Sequence, residues 1–244
     1  MGRRFEIVRE ADFDATPEQV WDAVTTGTAG WLWPLEVEPR VGGAAAFGGT
    51  VTAWDKPRHF ANHVDGADGW FNTLDHQIDV RDGRTVLRYM HSGIFVDNWD
   101  SQYDGADKHT DFYLQTLRQY VENFPGQEAT YVSIDAPAAS QSATAVAQLL
   151  TALGGGPAAA VGDSVRLPVA AAGDTRGVID YVTPHFVGIR TPDALYRFFG
   201  RNAWGGPVTL SIHAFGEGVN TEQAEAAWAE FFSELYTPAD VASR

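Results

Sequence analysis

Two histidines and five large aromatic residues are the side chains whose types and spacing could do chemistry. His76 and His91 carry imidazoles that titrate near neutrality, so either could move a proton or orient a polar group. Either could equally be a core histidine satisfied by one hydrogen bond. Trp31, Trp33, Trp70, Tyr89 and Tyr113 are the residues that wall a small-molecule pocket, and also those that fill an ordinary core. No recognisable catalytic set accompanies them. The sequence has no Gly-x-Ser-x-Gly turn, no His-Glu-x-x-His pair, no Gly-Lys-Ser/Thr phosphate loop and no Gly-x-Gly-x-x-Gly helix start. It has no cysteine, which excludes disulfides, thiolate catalysis and cysteine-held metals.

One acidic stretch invites a metal reading. Asp100, Gln102, Asp104, Gly105 and Asp111 sit at positions one, three, five, six and twelve of a calcium-loop template. Gln at position three, Asp107 where an apolar residue is usual and Asp rather than Glu at twelve all argue against calcium. The residues favour a solvated loop from Asp97 to Asp111, leading into a helix capped by Thr110 with Asp111 in its first turn. No metal and no cofactor is expected.

The elements that must position these side chains follow from periodicity. Thr16-Pro17-Glu18-Gln19 is a helix start, with Thr16 as cap, Pro17 in the first position and Gln19 closing a capping box. Val20, Trp21 and Val24 then share one helical face. In the strand that follows Trp70, alternation puts Trp70, Asn72, Leu74, His76 and Ile78 on one side. Asp82-Gly83 is a tight hairpin turn into Thr85–Ser92, where Leu87, Tyr89 and His91 share a face. From Thr110 a helical stripe of Tyr113, Leu117, Tyr120 and Phe124 begins.

Composition bounds the function classes. The chain has 244 residues, 44 % of them apolar and 20 % charged, enough for a packed core and too apolar for wholesale disorder. Seventeen basic against 32 acidic residues give a net charge of −15. Such a balance argues against a nucleic-acid partner and against an anionic membrane surface, since both need local positive charge. No early run is long and apolar enough for a signal peptide or a membrane span, so a soluble cytoplasmic protein is expected.

The sequence also repeats itself. Phe5–Pro17 resembles Tyr131–Pro137, Val51–Pro57 resembles Val178–Pro184, and Thr85-Val-Leu-Arg-Tyr89 resembles Val208-Thr-Leu-Ser-Ile212. Each copy ends in an aromatic-rich helix, near 110–124 and 221–236. The order predicts two tandem α+β domains, 1–126 and 127–244. An antiparallel sheet with one apolar face must be covered, and the terminal helix of each copy is the long element available for that.

The first copy resembles the SRPBCC, or START-like, superfamily, and within it the homologues of the activator of the heat-shock-protein-90 ATPase. The matching stretches are Asp14-Ala-Thr-Pro-Glu-Gln-Val-Trp21, Thr26-Gly-Thr-Ala-Gly-Trp31-Leu-Trp33-Pro34, Pro39-Arg-Val-Gly-Gly43 and Thr85-Val-Leu-Arg-Tyr-Met-His91-Ser-Gly93-Ile. They span residues 5 to about 124. The second copy lacks the Trp-x-Trp-Pro and Pro-Arg-Val-Gly-Gly elements. The resemblance implies a helix-grip fold, a curved antiparallel sheet around a long C-terminal helix with a cavity between them. It implies a small hydrophobic molecule as partner, held by Trp31, Trp33, Trp70, His76, Tyr89, His91 and Tyr113 without catalysis. Alternatives within it are an enzyme of the polyketide cyclase or dehydratase kind and a modulator of a chaperone-type partner's ATPase.

Overall fold

Along β1 (Arg3–Phe13), Phe5, Ile7 and Phe13 are buried while Glu6, Glu10 and Asp12 are exposed. This two-residue alternation is what a sheet with one covered face requires. A computed structural model describes residues 2–169, 175–216 and 219–237. The chain divides into two units, Met1–Glu128 and Ala129–Arg244.

In the first unit, α1 (Pro17–Thr25) follows β1, and the capping box forms as the sequence predicts. Thr16 Oγ1 accepts from the Gln19 N–H at 3.2 Å, and Gln19 Oε1 accepts from the Thr16 N–H at 2.8 Å. Five further strands come next: β2 (Ala44–Ala45), β3 (Gly49–Asp55), β4 (His59–Asp65), β5 (Phe71–Arg81) and β6 (Arg84–Phe95). The six strands form one antiparallel sheet in the order β1-β6-β5-β4-β3-β2. Asp82 (φ 52°) and Gly83 (φ 79°) make the β5–β6 turn, both left-handed as the tightest hairpins need.

The last element, α2 (Trp99–Asn123), is 25 residues long and packs on β1, β6 and α1. It corrects the expectation for residues 97–111. Asp100–Asp111 are helical, so they form neither a solvated loop nor a calcium loop, and Thr110 is a buried mid-helix residue whose Oγ1 donates to Ala106 O at 2.8 Å. The physical reason is tertiary. Arg9 on β1 reaches Asp107 and Asp111, each at 2.7 Å. Arg3 lies 3.8 Å over the Trp99 ring, and Trp99 stacks on Tyr103. These contacts hold three turns whose Asp, Ser and Gly content alone would leave them loose.

The second unit repeats the plan. Its elements are β7 (Thr130–Asp135), α3 (Ala145–Ala152), β8 (Ser164–Arg166), β9 (Arg176–Val182), β10 (Phe186–Arg190), β11 (Ala194–Gly200), β12 (Val208–Ala214) and α4 (Thr221–Leu235). The strand order, β7-β12-β11-β10-β9-β8, is that of the first sheet. The repeated landmarks fall on equivalent strands: Val51 on β3 matches Val178 on β9, and Leu87 on β6 matches Leu210 on β12. The fold is α+β, two tandem helix-grip domains, each a six-stranded antiparallel sheet held by its C-terminal helix.

The second core is filled. Trp228 and Phe232 from α4 and the following Tyr236 lie in one cluster with Tyr196, Phe198, Leu210 and Ile212 from the sheet. A buried ion pair sits apart from that cluster. Arg197 on β11 donates to both carboxylate oxygens of Asp180 on β9, at 2.6 and 2.9 Å. Gly188 on the intervening β10 leaves room for it. A Cβ there would lie 2.4 Å from both Arg197 Nη1 and Asp180 Oδ1.

Candidate ligand cavity

Inward positions of three neighbouring strands make the floor of a cavity in the first unit. Phe60, Asn62 and Val64 come from β4, Asn72, Leu74 and His76 from β5, and Tyr89 and His91 from β6. Each set is spaced by two residues, as side chains on one face of a strand must be. On α2, Ala106, His109, Thr110, Tyr113 and Leu114 face the same space. Their spacing of three and four residues is one helical face. The remaining wall is the connection after α1, with Thr28, Trp31, Leu32, Trp33 and Leu35. The cavity volume is about 380 Å³, within the range of small-molecule sites.

Local contacts fix that connection. The Trp31 indole donates to Ala23 O at 2.9 Å, and Thr28 Oγ1 accepts from the Leu35 N–H at 2.9 Å. Gly30 lies flat on the Tyr120 ring, where a Cβ would come within 2.5 Å of the ring carbons. Trp33 meets Tyr113 edge-on at 6.0 Å and Phe47 at 6.5 Å. Phe47 also lines the cavity, yet is 75 % exposed and left-handed at φ 60°. Trp70, before β5, packs its ring on Gly66.

The structure therefore brings Trp31, Trp33, Trp70, His76, Tyr89, His91 and Tyr113 to one cavity. His59 and His63 belong elsewhere in the unit, bonded to Asp75 at 3.0 Å and to Thr73 at 2.7 Å. Sequence reasoning did not select Asn62, Phe47 or His109. His109 lies in the part of α2 that the sequence reads as loop, so it joins the Tyr113 face only once the helix is seen to begin at Trp99. Asn72 shares the predicted face of His76, and its amide donates to His91 Nε2 at 2.8 Å. This bond puts the His91 ring proton on Nδ1.

Burial controls the electrostatics. It pulls His76 down to about 4, although the Asp75 carboxylate and the Phe60 backbone pull the other way. It also pulls His91 down to about 4. Burial, and then the Tyr113 hydroxyl, raise Tyr89 above its ordinary range. At neutral pH both imidazoles are thus uncharged and Tyr89 remains a phenol. His76 stacks on Phe60 at 5.5 Å and meets Tyr89 edge-on at 5.2 Å. Its Nδ1 is buried without a hydrogen-bond partner. None of the lining residues is Asp, Glu, Lys or Arg. Among the described residues no group of three or more potential ligands could hold a metal ion, and no helix is long and apolar enough to cross a membrane.

No family model and no curated protein matches the chain. Similar solved structures exist. The protein MLL2253 from Mesorhizobium loti is 22 % identical with a TM-score of 0.40, over 48 % of this chain and 96 % of that one. The Aha1 dimer from Colwellia psychrerythraea is 18 % identical with a TM-score of 0.39, over 48 % of this chain and 96 % of that one. DynU16, a protein of the dynemicin biosynthetic locus, is 16 % identical with a TM-score of 0.42, over 95 % of both chains. With identities this low and TM-scores under one half, these likenesses assign no activity.

Proposed function

We propose that the first unit binds a small hydrophobic molecule in the cavity between its sheet and α2, without catalysing a reaction on it. The observation that carries this reading is the cavity of about 380 Å³, walled mainly by aromatic and aliphatic side chains with a few neutral polar groups. Burying an apolar molecule there removes both its surface and the wall from water, which favours association. No side chain on the wall is arranged as an activated nucleophile, and no carboxylate pair faces it. Native mass spectrometry of the freshly purified chain, followed by solvent extraction, tests the reading. A small molecule that leaves on extraction is the expected result. A chain that is empty on purification and shows no change in Tm with any of a library of hydrophobic compounds would overturn it.

A second reading is proton transfer by His76, in an enzyme of the cyclase or dehydratase kind. It draws on one observation, the unpartnered Nδ1 of an imidazole on the cavity wall. With His76 at about 4, the ring is a weak base and is scarcely protonated near neutrality, which favours binding over acid–base work. Turnover of an extracted ligand that disappears in His76→Ala would reverse that preference.

A further inference from the structure

We propose that the cavity selects an uncharged aromatic molecule bearing a hydroxyl, with the hydroxyl on His76 and the rings against the Trp31–Trp33 segment. The inference rests on the binding role proposed above and adds the chemistry of the ligand. The first support is the charge of the wall. One residue in five of this chain is charged, yet none of the residues lining the cavity is. A carboxylate ligand would lose its hydration and meet no cation. An ammonium would keep contacts with aromatic rings but meet no carboxylate.

The second support is how the polar groups of the wall are already used. On α2, His109 Nδ1 donates to Gly105 O at 2.7 Å and the Thr110 hydroxyl donates to Ala106 O at 2.8 Å, so each spends a donor within its own helix. His91 accepts from Asn72 through Nε2, which leaves only a donor, Nδ1–H, on that ring. Thr28 is engaged by the Leu35 N–H. Asn62, Tyr89 and Tyr113 also line the cavity with polar groups, but of the lining residues His76 is the one whose buried polar atom, Nδ1, has no hydrogen-bond partner among the described residues. A neutral imidazole has one donor and one acceptor nitrogen, and a hydroxyl both donates and accepts, so it pairs with either tautomer. A group that could only accept would suit only one tautomer. On the connection after α1, Trp31, Leu32, Trp33 and Leu35 offer apolar surface for rings.

Four probes of one shape test this on the intact chain: naphthalene, 2-naphthol, 2-naphthoate and 2-naphthylmethylammonium, titrated at neutral pH by tryptophan quenching and calorimetry. The expected order puts 2-naphthol first, about tenfold tighter than naphthalene, as one added hydrogen bond gives, with both ions weaker than naphthalene. Equal binding of naphthalene and 2-naphthol would overturn the hydroxyl assignment and leave the binding role standing. Tighter binding of either ion would overturn the neutral-ligand assignment. An ammonium that wins would point to the chain's net charge as the selector. Failure of all four to bind would overturn the aromatic-ligand assignment, and the extraction and library test above would then decide the binding role. His76→Phe keeps a ring on Phe60 and should abolish the 2-naphthol advantage, so that 2-naphthol and naphthalene bind this variant equally. Should that variant not fold, the order measured on the unaltered chain decides the matter alone.

Discussion

Against the sheet of the second unit, α4 and the residue after it place Trp228, Phe232 and Tyr236, all buried. Against the matching sheet of the first unit, α2 places Ala106, His109, Thr110 and Tyr113 around open space. The strands differ in the same sense. Leu210, Ile212 and Ala214 stand on β12 where β6 carries Leu87, Tyr89 and His91. On β11, Tyr196 and Phe198 project into the core, whereas β5 offers Asn72, Leu74 and His76. Helix length differs as well, 25 residues in α2 and 15 in α4. Strand order is common to both, so it does not decide whether a helix-grip unit is hollow. The choice lies with a few inward side chains and with the added turns of the helix.

Acid should separate the hollow unit from its neutral-pH state most strongly. His76 and His91 sit at about 4 in the folded chain, against an ordinary 6.5. Between those values the unfolded chain binds more protons than the folded one, so stability falls as pH falls. Their contribution is complete above pH 6.5 and lost as pH drops through about 4. The drop corresponds to about 3 kcal/mol for each ring. Hydrogen exchange of first-unit peptides between pH 7 and pH 4, corrected for intrinsic rates, reads this directly. The double variant His76→Phe, His91→Phe should flatten the profile, and a flat profile in the unaltered chain would break the contrast.

The filled unit should answer to truncation instead. Trp228 is wholly buried among Tyr196, Phe198 and Phe232, and Trp228→Ala should cost about 4 kcal/mol in denaturant unfolding. Trp33→Ala, at the edge of existing open space, should cost about 1 kcal/mol, since it deletes packing on one side only. Its larger effect should be on naphthalene affinity. Comparable stability losses for the two would mean that the first unit is packed as tightly as the second. Asp180→Ala comes next, at about 3 kcal/mol, because it strips the carboxylate from buried Arg197. Replacing both partners by apolar residues should recover most of that loss.

Much of this was legible before any coordinates. Parity along β5 and β6 puts His76, Tyr89 and His91 on one covered face, and the Thr16–Gln19 box is a local pattern that tertiary structure did not need to alter. The order of repeated landmarks carries the two-unit layout. The opening turns of α2 were not legible, because a run of Asp, Ser and Gly reads as loop until Arg9, more than ninety residues earlier, is known to face it. Asn62 and Phe47 were missed for a different reason. Neither carries a signal until the strands around it are placed in register, since a lone Asn or Phe between turns fits core, rim or solvent alike.

Phe47 gives the smallest expected effect and the sharpest test of what the rim does. Its backbone is left-handed, at φ 60° and ψ 27°, a conformation that costs a residue with a Cβ about 1 kcal/mol relative to glycine. Because the side chain is 75 % exposed, removing it forfeits little burial. Phe47→Gly should therefore raise the stability of the first unit by about 1 kcal/mol or less, the gain being offset in part by the freer unfolded glycine. Differential scanning calorimetry would show a small upward shift in Tm. The same variant removes the ring that meets Trp33 at the cavity rim, so release of bound 2-naphthol should quicken. Stopped-flow displacement measures that rate. Higher stability with unchanged release would reduce Phe47 to a turn residue, while higher stability with faster release would show that the strain accompanies a ring covering the entrance of the hollow unit.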